Sequence, residues 1–243
     1  MSSVEKNKES IGTLFVFDFD DTLADTSAEI GVQRIGPSGA PDKDFGIWLE
    51  ENNIVCNRIT SPKSNPFFWL SSANFALYES YDYADEKKVD VIDYSKVGSS
   101  EDSDIHPISR MVSYFKKAIS EESSKVIVLT ARSPLREAFS PAMKKHVKCD
   151  NKRLIQGFLA SQGVRFPIRD IYAVGDKAVH SSVSKARVVL EKICDLNPEE
   201  VIFFDDNFTN LRAVSALNKI PLDTTVITYQ VYDGGKIRKF DFD

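Results

Sequence analysis

Cysteine is scarce in this chain. The three present, Cys56, Cys149 and Cys194, stand far apart with no paired spacing. That argues against a disulfide framework or a zinc site and for free thiols in a reducing compartment. Histidine is equally rare: His106, His146 and His180 have no ligand spacing, and each reads as an ordinary surface or core residue. No apolar run approaches the ~20 residues of a membrane helix. The stretch Met1 to Ser10 is polar and mixed in charge, without the apolar core of a signal peptide. Nor is there an excess of basic charge, since 31 Lys and Arg against 36 Asp and Glu give −5. That balance disfavours a chain-wide footprint for nucleic acid and leaves room for a local basic patch. A soluble, cytoplasmic protein without a membrane partner is expected.

What the chain does have is enough length and apolar content for a full core. Its 243 residues, 42% hydrophobic and 28% charged, suit one domain plus a sizeable insertion. Five apolar runs of strand length stand out: Thr13–Phe17, Lys125–Leu129, Asp170–Val174, Glu200–Phe204 and Thr224–Tyr229. Near-continuous runs of this kind predict strands buried on both faces of a parallel sheet. Helical spacing precedes the later runs, at Ile108, Met111, Val112, Phe115, Ala118 and Ile119, then at Leu154, Phe158 and Leu159, and again at Val183, Ala186, Val189, Leu190 and Ile193. Strands alternating with helices predict a doubly wound, Rossmann-like α/β core. In such a sheet ligands sit outside the carboxyl ends of the strands, where strand order reverses.

From about Ala28 to Asp104 this rhythm breaks into Gly-Pro-Ser clusters, an aromatic segment (Phe67-Phe68-Trp69-Leu70) and an acidic, Ser-rich run. A structureless loop of that length is improbable in a compact domain. The expected organisation is a core of residues 11–27 and 105–243, with residues 28–104 an inserted cap that has its own small core. The aromatics of the insertion (Phe67, Phe68, Trp69, Phe75, Tyr78, Tyr81, Tyr83) suit such a core better than a base-stacking surface. The basic run Lys144-Lys145-His146-Val147-Lys148 reads as a solvated helix face before a nucleic-acid site. The tail Lys236–Phe240 reads as an edge strand or a frayed end.

The chemistry gathers at strand ends. Asp18 ends the first run, and Asp20, two residues on, projects to the same side while Phe19 points into the core; Asp21 and Thr22 start the turn. Carboxylates at the end of a buried strand are costly unless a metal or other cations compensate them. The second run ends Thr130-Ala131-Arg132, where a hydroxyl, backbone amides and a guanidinium suit an anion. The fourth ends Asp205-Asp206-Asn207, a carboxylate pair suited to a hard divalent cation such as magnesium. Lys185 opens the helix before that strand and supplies countercharge; Lys177, after the third strand, competes with it. Each piece alone has a plain alternative, Asp-Asp as a helix cap and Arg132 as a scaffold partner of Asp21 or Asp206. Together they fall in the chain order Asp, Thr, Lys, Asp.

The segment Phe15-Val16-Phe17-Asp18-Phe19-Asp20-Asp21-Thr22-Leu23 resembles the first signature of the haloacid dehalogenase-like (HAD) superfamily. Thr130, Lys185 and Asp205-Asp206 match its second, third and fourth signatures in order. The insertion lies where that superfamily carries its C1-type caps, and Val201 to Leu211 is also similar to HAD proteins of tailed bacteriophages. The resemblance implies an in-line attack by Asp18 that forms an aspartyl-phosphate, with Asp20 as acid and then base. It also implies magnesium on the Asp18 carboxylate, the Asp20 carbonyl, Asp205 and Asp206, and phosphoryl oxygens bound by Thr130 and Lys185, with Arg132 a further substrate contact. Asp at position 20 favours phosphatase over dehalogenase or phosphonatase chemistry. Asn210 stands where many relatives have a further acid. The expected activity is hydrolysis of a phosphate monoester, whether of a small metabolite, a nucleotide or a nucleic-acid end. A receiver-like signalling module with Asp176 as acceptor and an inactive phosphate-binding protein are the alternatives.

Overall fold

The computed structural model describes residues 11–26, 29–36, 38–60, 66–71, 74–75, 77–78, 89–93, 105–140, 145–175 and 179–241. Each of the five apolar runs forms a strand of one sheet: β1 (Thr13–Phe17), β8 (Ser124–Thr130), β11 (Ile171–Ala173), β12 (Glu200–Asp205) and β13 (Thr225–Tyr232). These five pair in parallel in the order β11-β8-β1-β12-β13, and the edge strand β14 (Lys236–Lys239) adds to β13 antiparallel. The tail is therefore an edge strand. Strand order runs outward from β1 in both directions, so it reverses between β1 and β12, where an α/β sheet leaves a crevice at its carboxyl edge.

Period-two alternation sorts β1 between two cores. Leu14 and Val16 pack on one side with Val189 and Ile193 of α4 (Ser181–Leu196) and Leu211 and Val214 of α5 (Phe208–Ser215). Phe17 packs on the other with Met111, Val112 and Phe115 of α2 (Ser109–Ser120), and the same layer takes Ile155, Phe158 and Leu159 of α3 (Asn151–Ser161). Helices thus cover both faces, giving an α/β architecture with a mostly parallel central sheet. The helical spacing overreached at two positions: Ile119 is 40% and Val183 54% exposed. Each lies near an end of its helix. No helix among the described residues is long and apolar enough to cross a membrane.

Between β1 and β8 the chain makes its excursion. The short strands β2 (Ala24–Thr26) and β7 (Ile105–Pro107) pair antiparallel, so it leaves and returns at one place. Within it, β3 (Glu29–Ile35), β4 (Cys56–Thr60), β5 (Phe67–Ser71) and β6 (Val89–Asp93) form a separate antiparallel sheet in the order β4-β5-β3-β6. Helix α1 (Phe45–Glu51) lays Phe45 and Leu49 into a core with Ile30, Val32, Phe68, Leu70, Phe75 and Tyr78. Phe68 and Tyr78 meet the Phe45 ring edge-on at 5.2 and 5.9 Å, so the aromatic segment serves packing there. Tyr81 and Tyr83 lie outside the described residues.

The basic run departs from its helical reading. Lys145–Asp150 is a strand, β10, paired antiparallel with β9 (Leu135–Ser140). Inter-strand backbone pairing satisfies its polar groups, a tertiary choice that charge pattern does not encode. Lys144 lies outside the described residues.

Gly175, just past β11, permits a close backbone approach. A Cβ there would collide with the Ala131 carbonyl oxygen and lie 2.7 Å from backbone atoms of Arg132 and Ser133, while its own N–H donates to the Arg132 carbonyl at 2.9 Å. Gly175→Ala must push away the loop that follows Thr130 and carries Arg132. An expected loss of about 2–3 kcal/mol or more follows from such overpacking against backbone, measurable by urea denaturation.

Candidate active site

The register of β1 on β12 builds the site. Phe17 lies opposite Phe204, and the Asp18 N–H donates to the Phe204 carbonyl at 2.9 Å. The next side chains, Asp18 just past β1 and Asp205 at the end of β12, therefore emerge side by side at the carboxyl edge. Asp206 completes a group of three carboxylates whose oxygens lie within 4.8 Å of one another. The helix-capping alternative for this acidic pair gives way, because Asn207 caps α5: its Oδ1 accepts from the Thr209 and Asn210 N–H groups at 2.8 and 3.2 Å. Asp205 Oδ1 in turn accepts from the Asn207 N–H at 2.9 Å, which fixes the acid at the strand end.

Lys185, on the first turns of α4, is buried, and its Nζ donates to Asp18 Oδ1 and to Asp205 Oδ2, both at 2.7 Å. Two buried carboxylates, the half-buried Asp206 and one ammonium leave a formal excess of two negative charges. Burial pushes the Asp18 carboxyl well above the ordinary carboxylate range; Lys185 opposes the rise, while Asp205 and Asp20 add to it. Burial raises Asp206 in the same way, helped by Asp205 and Asp18. Lys185 itself is held upward, its carboxylate partners outweighing the cost of burial.

Asp20 belongs to a second, neutral pair. Arg132 grips it with Nε at 2.9 Å from Oδ2 and Nη2 at 2.6 Å from Oδ1. Thr26 Oγ1 donates to Oδ1 at 2.8 Å, and Thr130 Oγ1 to Oδ2 at 3.2 Å. Burial works to raise this carboxyl, but the guanidinium and the hydroxyl donors outweigh it and hold Asp20 below its usual range. Arg132 is fully buried, its guanidinium carbon 5.1 Å above the centre of the Phe19 ring. As scaffold its partner is Asp20, where the sequence offered Asp21 or Asp206. Lysine has no planar fork to reproduce this grip. Arg132→Lys is therefore expected to cost roughly 2–3 kcal/mol of stability, read by thermal melting.

Seven residues selected from the sequence thus fall into one acidic crevice, as the trio Asp18, Asp205 and Asp206 with Lys185, and the triplet Asp20, Arg132 and Thr130. Thr130 is turned to Asp20 and to the Arg132 N–H, 3.1 Å from its Oγ1. Lys177 and Asp176 lie outside the described residues. His180 caps α4, its Nδ1 accepting from the Ser182 N–H at 3.3 Å. Two further residues shape the crevice, Thr26 and Gly175. Nothing in sequence brings Thr26 to Asp20, because the β2 turn does so, whereas a glycine directly after a buried strand was a visible sign of close backbone approach. Asn210 turns its Nδ2 to both Asp205 oxygens at 3.0 and 3.1 Å. Its Oδ1 is buried with no hydrogen-bond partner among the described residues.

Comparison with protein-family models, with curated proteins and with solved structures finds no match to this chain. Its chemistry rests on the geometry of the crevice.

Proposed function

We propose that the chain is a magnesium-dependent phosphohydrolase that cleaves a phosphate monoester through an aspartyl-phosphate on Asp18. The observation that carries this is the trio Asp18, Asp205 and Asp206, the first two buried and the third half-buried, with one ammonium, Lys185, among the described residues, a formal excess of two negative charges at the carboxyl edge of a parallel sheet. A divalent cation matches that excess, and all-oxygen donors with few carboxylates suit magnesium. Asp18, Asp205 and Asp206 would hold it, with the Asp20 carbonyl on the resemblance to the HAD superfamily. The Asn210 Oδ1, buried and unpartnered among the described residues, could accept from a water of such a site. Bound there, magnesium would screen Asp18 from an incoming anion and stabilise charge on the transferring group.

The chain's own groups divide the reaction. Lys185 orients Asp18 Oδ1 through its 2.7 Å hydrogen bond and offers positive charge to a phosphoryl oxygen. An Asp18 oxygen bonds to phosphorus as the ester P–O bond breaks, and the alcohol leaves with a proton. Water then attacks the aspartyl-phosphate, giving up a proton and releasing phosphate. Asp20, kept ionised by Arg132 and two hydroxyls, is ready as the base of this second step. To deliver the first proton, it must loosen from Arg132 as substrate arrives. The excursion between β1 and β8 stands where a C1-type cap of the HAD superfamily would cover the crevice.

The test is phosphate release from a panel of monoesters with magnesium, run beside a chelator. The expected result is turnover that stops on chelation, with an acid-stable, base-labile phosphoryl group mapped to Asp18. Chelator-indifferent turnover, or a label on Asp176, would overturn the mechanism.

A further inference from the structure

A cavity of about 640 Å³ opens beside the carboxylate trio, with Asp206 in its wall. It spans the two parts of the chain. Leu77 comes from the excursion, Phe208 from the start of α5, and Tyr232 from the end of β13. Phe208 is 43% and Tyr232 39% exposed, unusual for large rings next to a deeply buried acidic centre. Neither ring is loose. Phe208 meets Phe240 edge-on at 4.8 Å, and Lys236 and Arg238 lie over Tyr232 at 6.0 and 5.6 Å. The hairpin turn after Tyr232 is closed by Asp233, Gly234 and Gly235, all with positive φ. It seats Gly235 so tightly against α2 that a Cβ there would come 2.7 Å from Ile108.

The charge in this wall has one sign. Asp21, Asp25, Asp206 and Asp233 line it, and no lysine, arginine or histidine does so among the described residues. Lys236 approaches Asp233 at 3.5 Å, largely from solvent, and Asp206 belongs to the proposed metal group, so Asp21 and Asp25 are the charges left to repel an anion. The volume suits a small molecule held by apolar and aromatic walls. An anionic group entering here would meet like charge at short range.

We propose that this cavity seats the alcohol part of the substrate, and that this alcohol is ring-bearing and carries no negative charge, a nucleoside or aryl group, with Phe208, Tyr232 and Leu77 as its contacts. The proposal rests on the phosphohydrolase reading and selects within it. Bisphosphates and nucleic-acid ends, which bring further phosphates into the acidic wall, are disfavoured.

The experiment compares adenosine monophosphate and phenyl phosphate with a hexose bisphosphate and a phosphate-ended oligonucleotide, on the full chain with magnesium. The ring-bearing esters are expected to lead in kcat/KM by about tenfold or more. Phe208→Ala should lower the ratio of phenyl phosphate to glycerol phosphate turnover by a similar factor. Because Phe208 also packs on Phe240, Asp25→Lys, at an exposed position, provides an independent arm. It should move the preference toward the bisphosphate by about tenfold. Equal turnover of both classes, or a preference indifferent to Asp25→Lys, would overturn the proposal.

Calorimetric binding of adenosine monophosphate and hexose bisphosphate to Asp18→Asn separates the two levels. Selective binding of the nucleotide without turnover of any ester by the unmodified chain retains the seat and removes the phosphohydrolase reading. Turnover without preference does the reverse, and neither binding nor turnover removes both.

Discussion

Asp18→Asn is expected to lower kcat by about a thousandfold or more while leaving the protein folded. In energy that is roughly 4 kcal/mol of lost transition-state stabilisation. The size follows from the role, because an amide oxygen is too weak a nucleophile to form the covalent intermediate. The intact fold follows from the surroundings. An asparagine side chain still accepts from Lys185 Nζ through its Oδ1, where the carboxylate does so at 2.7 Å. It also removes a buried carboxylate whose charged form burial and its acidic neighbours already disfavour. Without a divalent cation the variant should melt no lower than the unmodified chain, and it should carry no phosphoryl label. A variant that retains turnover, or one that loses it only by unfolding, would remove Asp18 from the role of nucleophile.

Lys185→Met should act in the opposite sense on stability. The ammonium is buried and bridges Asp18 and Asp205, so its loss leaves the trio with no internal cation. Deleting one partner of a buried ion pair costs about 3–5 kcal/mol, because the remaining charge stays in a poor solvent. For a chain of this size that corresponds to a fall in Tm on the order of 10 °C. The pH dependence gives a second readout. The Asp18 and Asp206 carboxyls already lie above their unfolded range, and removing Lys185 raises them further. A carboxyl raised in the folded state binds its proton more tightly there, so it favours folding below the unfolded pKa and loses that contribution as pH rises through the folded one. The deficit of Lys185→Met should therefore be small in mild acid and grow toward neutral pH, and magnesium should reduce it. A deficit independent of both pH and magnesium would mean that Lys185 acts only through packing.

Much of this architecture was legible in residue order. Near-continuous apolar runs such as Val126–Leu129 and Val201–Phe204 specify strands buried on both faces, because a parallel sheet covered by helices offers them no solvent side. The change of rhythm after Ala28 marked the excursion, since a long segment without core periodicity needs a fold of its own. Less legible were features that depend on what is brought alongside. The basic run from Lys145 pairs as a hairpin strand because a partner backbone is present, and charge pattern carries no trace of that partner.

For the site, the sequence by itself determined which groups arrive at the carboxyl edge. Asp18, Thr130 and Asp205 terminate or immediately follow buried strands, so local pattern was enough to select them, whereas Lys185 stands out from Lys177 only through the resemblance to the HAD superfamily. Tertiary structure alone decided how they divide. Side-by-side register of β1 and β12 joined Asp18 to Asp205 and brought Lys185 between them. The turn through β2 and the loop held down at Gly175 gave Asp20 to Thr26, Thr130 and Arg132 instead. One carboxyl is thereby pushed up and its neighbour two residues away pulled down. The physical reason is that a pKa depends on burial and on charges within a few ångströms, and those distances run between strands, not along the chain.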